Sequence, residues 1–248
     1  MKKKNRNWIY SLLIIGVCLL LTEGCLKDED TPAVLSPITF SPDVTYETVT
    51  DIDGNVYKTV TIGTQTWMAE NLRTTKYRNG EAIPNVKDAT EWKNLKTAAF
   101  CDYGNTGSKD SIAVFGLLYN WYAASDSRNI APEGWHIPSD AEWSTLTTLL
   151  VDSLAGGKLK EADIIHWTNA TGINAGATNE TGFTALPGSG CSLDGVFKNI
   201  GYHGYWWSAS SENVDGFAWF RYIDYDYSGL SRASSNEFLA FSVRCVKD

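Results

Sequence analysis

An Asp-Gly-Asn step, Asp53–Asn55, lies between two strand-like segments and obliges the chain to double back. Before it, Val44–Val49 reads as a strand; after it, Val56–Ile62 alternates as Val-Tyr-Lys-Thr-Val-Thr-Ile. Successive strand side chains point to opposite faces, and Asp-Gly suits the tight turn of a hairpin. Gly63-Thr64-Gln65 then turns the chain into Thr66–Ala69, a second hairpin. Antiparallel pairing is therefore set early, and whatever follows must pack against it.

Further along, the pattern predicts two helices. Gly116–Ala124 is apolar and stops at Ser125-Asp126. Ser139-Asp140-Ala141-Glu142 is a capping box, in which hydroxyl and carboxylate satisfy the free N–H groups of a helix start. Trp143, Leu146, Leu149 and Leu150 follow on one helical face, with an expected end near Ser153, before Gly156-Gly157. Residues 73–113 read as long ordered loops. Three terminal strands are expected at Gly204–Ala209, Gly216–Asp224 and Phe238–Val246, with Ser228–Asn236 as a polar connection. Ten Trp, twelve Tyr and 21 Gly in 248 residues favour a loop-rich α+β fold over a helical bundle.

The N-terminus carries a different kind of signal. Basic Met1–Arg6 leads into an apolar run, Trp8–Leu21, then Gly24-Cys25 and the charged Leu26–Asp30. The run falls short of the roughly 20 residues a membrane-spanning helix needs. The layout resembles a bacterial lipoprotein signal peptide (residues 1–24), with Cys25 as the acylated first residue of the mature chain. Lys27–Asp30 resembles the export signal of lipoproteins on the outer face of the outer membrane. Polar residues 25–43, with Pro32, Pro37 and Pro42, read as a tether. Cleavage would remove four of 21 basic and one of 29 acidic residues, leaving a net charge of about −11. Such a chain lacks the basic footprint that nucleic acid or anionic lipid requires, so the membrane partner is reached through acyl chains on Cys25.

Cys101, Cys191 and Cys245 remain beyond the leader and allow one bridge and one leftover thiol. With three His and no Cys-x-x-Cys, a zinc site is not expected.

Several segments resemble the Fibrobacter succinogenes major paralogous domain family: Asp51–Arg73, Gly116–Ala124, Ala131–Leu146, Asn179–Pro187, Gly204–Ser211 and Phe241–Lys247. The resemblance covers residues 44–248. It implies an exported domain whose α+β fold is similar to C-type lectins and formylglycine-generating enzymes: two helices on short antiparallel sheets, with long ordered loops. It also implies a Cys101–Cys245 disulfide and leaves the role of Cys191 open.

Trp206, Trp207 and Trp219 on neighbouring strands, with Glu212, Asn213 and Asp215 between them, form the candidate ligand-binding surface. Aromatic faces stack on the C–H faces of sugars, and carboxylates and amides bind hydroxyls. A Ca²⁺ ion, which takes about six to eight oxygens, is the one cofactor the acidic turn would accommodate. The Glu-Pro-Asn loop and the Trp-Asn-Asp run of sugar-binding C-type lectins are absent. Tyr222, Asp224, Tyr225, Asp226 and Tyr227 read as a charge-blunted edge strand, and His136 as a structural, hydrogen-bonded histidine. Asp110-Ser111-Ile112 resembles an O-glycosylation acceptor in a loop, with Asp152-Ser153-Leu154 as a second. No hydrolase or phosphate-loop motif is present. The expected function is a non-catalytic outer-membrane lipoprotein, surface-exposed or periplasm-facing, that binds glycan or protein, as in an adhesin or surface assembly. The alternatives are a purely structural subunit or an enzyme of the formylglycine-generating type.

Overall fold

Asp51 builds the first turn. Its Oδ1 accepts from Asp53 N and Asn55 N, each at 2.9 Å, and its Oδ2 from Tyr57 OH at 2.6 Å. Gly54 supplies the left-handed step at φ 83°. One buried carboxylate thus satisfies the turn's amides and pins the strand that leaves it. The computed structural model describes residues 35–167, 172–192 and 195–248. The expected signal peptide, Cys25 and the first part of the expected tether lie outside the described residues.

In chain order the elements are β1 (Glu47–Thr50), β2 (Val56–Ile62), β3 (Gln65–Met68), α1 (Ala89–Lys93), β4 (Phe100–Cys101), α2 (Lys109–Phe115), β5 (Leu118–Tyr119), α3 (Trp121–Ala124), β6 (Trp135–His136), α4 (Asp140–Leu150), α5 (Asp152–Leu159), β7 (Gly190–Cys191), β8 (Phe197–Lys198), β9 (His203–Ser211), β10 (Phe217–Asp224), β11 (Ser231–Asn236) and β12 (Val246–Lys247). One sheet runs β1-β2-β3-β12-β6 and a second β11-β10-β9; β4-β5 and β7-β8 are two-stranded. Every pairing between these strands is antiparallel. The fold is α+β with short helices.

The capping box forms as expected, with Ser139 N and Oγ donating to Glu142 Oε2 at 2.7 Å. Trp143, Leu146 and Leu150 of α4 face inward, whereas Leu149 is exposed. The helix ends at Leu150 and α5 restarts after Val151, running through Gly156-Gly157. Those glycines are there for close approach: a Cβ on Gly156 would lie 2.1 Å from the Gly229 carbonyl oxygen, and one on Gly157 would lie 2.3 Å from that of Gly176. The helix expected at Gly116–Ala124 is shorter. Leu118–Tyr119 pairs with β4, and Asn120 caps α3 by accepting from Ala123 N. Ser111, expected in a loop, sits half-buried in the first turn of α2.

Two further expectations are corrected. The polar connection is strand β11, held by its ladder to β10, which makes β10 the central strand of its sheet; Tyr222, paired with Ser231, is therefore not on an edge. The end of the supposed tether is docked rather than flexible. Leu35 and Ile38 pack on Val114, Phe115 and Leu186, and Thr39 N donates to Glu161 Oε1 at 2.8 Å. Apolar residues on either side of Pro37 find a groove, and burial outweighs the extended chain's freedom.

Two large apolar clusters fill the interior. One holds Trp67, Trp143, Phe183 and Trp206; the other holds Tyr57, Tyr119, Trp207, Phe220 and Phe241. The β9–β11 sheet lies between them. No helix of the described residues is long and apolar enough to cross a membrane.

Candidate ligand-binding site

Cross-strand register decides which side chains share a face. Phe220 lies opposite Trp207, Tyr222 opposite Tyr205 and Asp224 opposite His203. Ala233 and Ser235 continue this face on β11. Trp206 and Arg221 point the other way, as does Trp219 by alternation.

This phase separates the expected surface. Trp206 and Trp207 are both fully buried, because the sheet is covered on both sides. Trp206 packs in the cluster with Trp143 and Phe183; Trp207 lies tilted against Phe241, with ring centroids 4.5 Å apart. Trp219 is half-buried beneath the Arg232 guanidinium, 3.3 Å from its ring centroid. Arg232 in turn bonds Asp140 Oδ1 at 2.9 Å, and Arg221 bonds the same oxygen at 2.7 Å. Glu212, Asn213 and Asp215 occupy the β9–β10 turn, with Asn213 and Asp215 exposed. The six residues do not form one surface. Among the described residues no group of three or more His, Cys, Asp or Glu is placed to hold a metal ion.

A different site emerges on the Tyr205 face. Ser189, Gly190, Cys191, Ser192, Val196, Asn199, Tyr205, Ser235, Leu239 and Phe241 line a cleft of about 320 Å³. Tyr205 and Phe241 stack at 5.1 Å to form an aromatic floor, and Phe220 supports Phe241 at 4.9 Å. The β7–β8 hairpin and the segment after it supply one wall. Cys191 is joined to Ala240 and Ser189 to Gly204 by isolated bridges, which fixes that wall to the floor. Ser189 and Asn199 both adopt left-handed φ, 57° and 65°. Such conformations cost on the order of 1 kcal/mol or more in non-glycine residues and gather at functional sites.

At one rim, His203 Nδ1 bonds the Asp224 carboxylate, and the imidazole stacks on Tyr205 at 5.8 Å. Burial, reinforced by the Asp224 charge and by Tyr222, pushes the Tyr205 hydroxyl up to about 12. It is therefore a neutral donor throughout the physiological range. No Asp, Glu, Lys or Arg is among the lining residues. Hydroxyls, an amide and stacked rings can hold a neutral polar ligand.

Elsewhere, His136 bonds Asp248 at 2.6 Å and Glu142 at 2.8 Å, joining β6 to α4 and the chain end. The disulfide implied for Cys101 and Cys245 is not formed. Both are buried thiols in separate clusters, Cys245 beside Met68 and Val243, Cys101 beside Leu118 and Ala240. Sequence reasoning passed over Tyr205 and Phe241. Tyr205 lies within the Gly204–Ser211 motif, and the alternation His203, Tyr205, Trp207 was the signal that could have found it.

The family model of the Fibrobacter succinogenes major domain matches residues 60–247, and the chain belongs to this family. Neither curated proteins nor solved structures gave a match.

Proposed function

We propose that this protein is a non-catalytic binding module that takes a neutral saccharide in the Tyr205–Phe241 cleft. The observation that carries the reading is the stacked aromatic floor ringed by Ser189, Ser192, Asn199 and Ser235, with no charged side chain among its lining residues. The aromatic floor would meet the apolar C–H groups of a sugar, and the hydroxyls and amide its O–H groups. Ligand sites of this kind are concave and apolar, with a few polar groups that fix orientation. The wider reading is a lipoprotein anchored through Cys25, with a C-type-lectin-like domain presented at the outer-membrane surface. A protein-facing role has support of its own in Leu149, Val151 and Leu154, which are all about half exposed around the α4–α5 junction.

A glycan array of the purified chain, run with Ca²⁺ and with chelator, tests the saccharide reading. Binding should survive chelation. Loss of a stacking partner worth about 0.5–1.5 kcal/mol should make Tyr205→Ala weaken binding roughly twofold to twelvefold. Ser235→Trp, which fills the cleft, should abolish it, and Trp219→Ala should leave it unchanged. No hits in either buffer, or hits lost with Trp219→Ala and kept with Ser235→Trp, would discard the cleft.

A further inference from the structure

Cys101 and Cys191 are far apart in sequence and sit on different elements, β4 and β7. Their side chains nevertheless enter one small apolar cluster with Val86, Trp92, Leu118 and Ala240. Both also border a single void of about 10 Å³, close to the least space a water molecule occupies. Cys245 belongs to a different apolar cluster, where its carbonyl oxygen accepts from Met68 N at 3.0 Å.

We propose that Cys101 and Cys191 form an intrachain disulfide when the chain folds in the presence of a disulfide oxidant, tying the hairpin wall of the cleft to β4. One cysteine thiolate attacks a sulfur of the oxidant's disulfide, and one oxidant thiolate leaves. The second cysteine then attacks the mixed disulfide and expels the oxidant's other sulfur from it. The protein gives up two electrons and two protons, and the oxidant's disulfide takes them up as two thiols.

Timing follows from burial. Cys101 is 1% exposed and Cys191 3%. Burial, with Cys191 and Asp102 nearby, pushes the Cys101 thiol well above its ordinary value, so the closed fold holds little thiolate. Exchange belongs to the period before the core closes. In the finished fold Cys191 also borders the cleft, so the bond would tie the wall of that cleft to the small cluster behind it. The linkage does not depend on what the cleft binds.

The test uses the full chain with Cys18→Ser and Cys25→Ser, so that three thiols remain. The reduced, unfolded protein is refolded with a mixture of oxidised and reduced glutathione. Remaining thiols are alkylated, and the chain is digested without reductant and mapped by mass spectrometry. The expected result is a Cys101–Cys191 linked peptide, with Cys245 alkylated only after unfolding. Reductant should then lower the thermal midpoint by several degrees, a shift that Cys191→Ser should lack. Any linkage to Cys245, or three free thiols in chain that has regained its folded tryptophan fluorescence, overturns the proposal. Chain that does not regain that fluorescence under glutathione is mapped after folding in an oxidising host compartment, with the same outcomes deciding.

Discussion

Trp206 and Arg244 share one acceptor: Oδ1 of Asn71 takes Trp206 Nε1 and Arg244 Nε, each at 2.9 Å. Asn71 Nδ2 meanwhile donates to Phe115 O at 2.8 Å and Ser242 Oγ at 3.2 Å. A single buried amide thus ties β9, the end of α2 and the C-terminal segment together. Arg244 is fully buried, over the Phe183 ring at 4.2 Å, and its guanidinium also donates to the Phe183 and Thr184 carbonyls. Burial pulls its pKa down to about 9, since no carboxylate touches it.

A buried cation held by neutral acceptors is sensitive to the loss of any one of them. Asn71→Leu should cost about 3–5 kcal/mol, the range for breaking a buried charged network. Asn71→Asp keeps an acceptor facing Arg244 and adds a charge to pair with it, so it should cost about half as much. Urea denaturation of both variants measures the difference. Equal losses would show that Arg244 does not depend on this acceptor.

Gly156 reverses an ordinary helix rule. Alanine in place of glycine usually stabilises a helix interior by about 1 kcal/mol. Here a Cβ would meet the Gly229 carbonyl oxygen at 2.1 Å and its carbon at 2.7 Å. The adjacent Gly157 N donates to Ser228 O at 2.7 Å, so the loop cannot retreat without losing that bond. Gly156→Ala should therefore destabilise by about 2–3 kcal/mol, as overpacking does. A thermal midpoint equal to or above that of the parent would show that α5 and the 228–229 loop are not in this contact.

The same contact explains one limit on what the sequence discloses. Gly156-Gly157 reads as a helix stop, because sequence does not reveal a backbone pressing on the helix from elsewhere. Local chemistry was legible: the Asp53–Asn55 turn and the Ser139–Glu142 capping box are satisfied by near neighbours. Strand β11 was not, since Ser-Arg-Ala-Ser-Ser-Asn has no apolar alternation and is a strand only by pairing with β10. Nor was the fate of Trp206 and Trp207. Adjacent strand residues point to opposite faces, which places one of the two rings in the core; both are buried because the sheet is covered twice. The cleft depends on segments near 190, 205, 235 and 240 meeting, which no local pattern predicts.

His166 holds the N-terminal segment by its charge. Its Nδ1 donates to Glu161 Oε2 at 2.7 Å and its Nε2 to Ser36 O at 2.9 Å, so both ring nitrogens carry protons. Burial alone would lower its pKa. The Glu161 hydrogen bond and charge, with the Ser36 carbonyl, outweigh burial and raise it above 6.5. A histidine raised in the folded state contributes stability that is fully present below its unfolded pKa of about 6.5 and is lost as pH rises through the higher folded value. The docking of residues 35–39 should therefore be firmest at mildly acidic pH and weaken into the alkaline range. Hydrogen exchange at Thr39 N, which donates to Glu161, reports this locally once corrected for the intrinsic pH dependence. Its protection should fall as pH rises above the ordinary histidine pKa of about 6.5. His136 is also raised, by Asp248 and Glu142 against its own burial, so the global midpoint is compared in a His136→Gln background. In that background the pH-dependent loss should vanish on adding His166→Gln. A loss that persists would place the titrating group elsewhere than the His166–Glu161 pair.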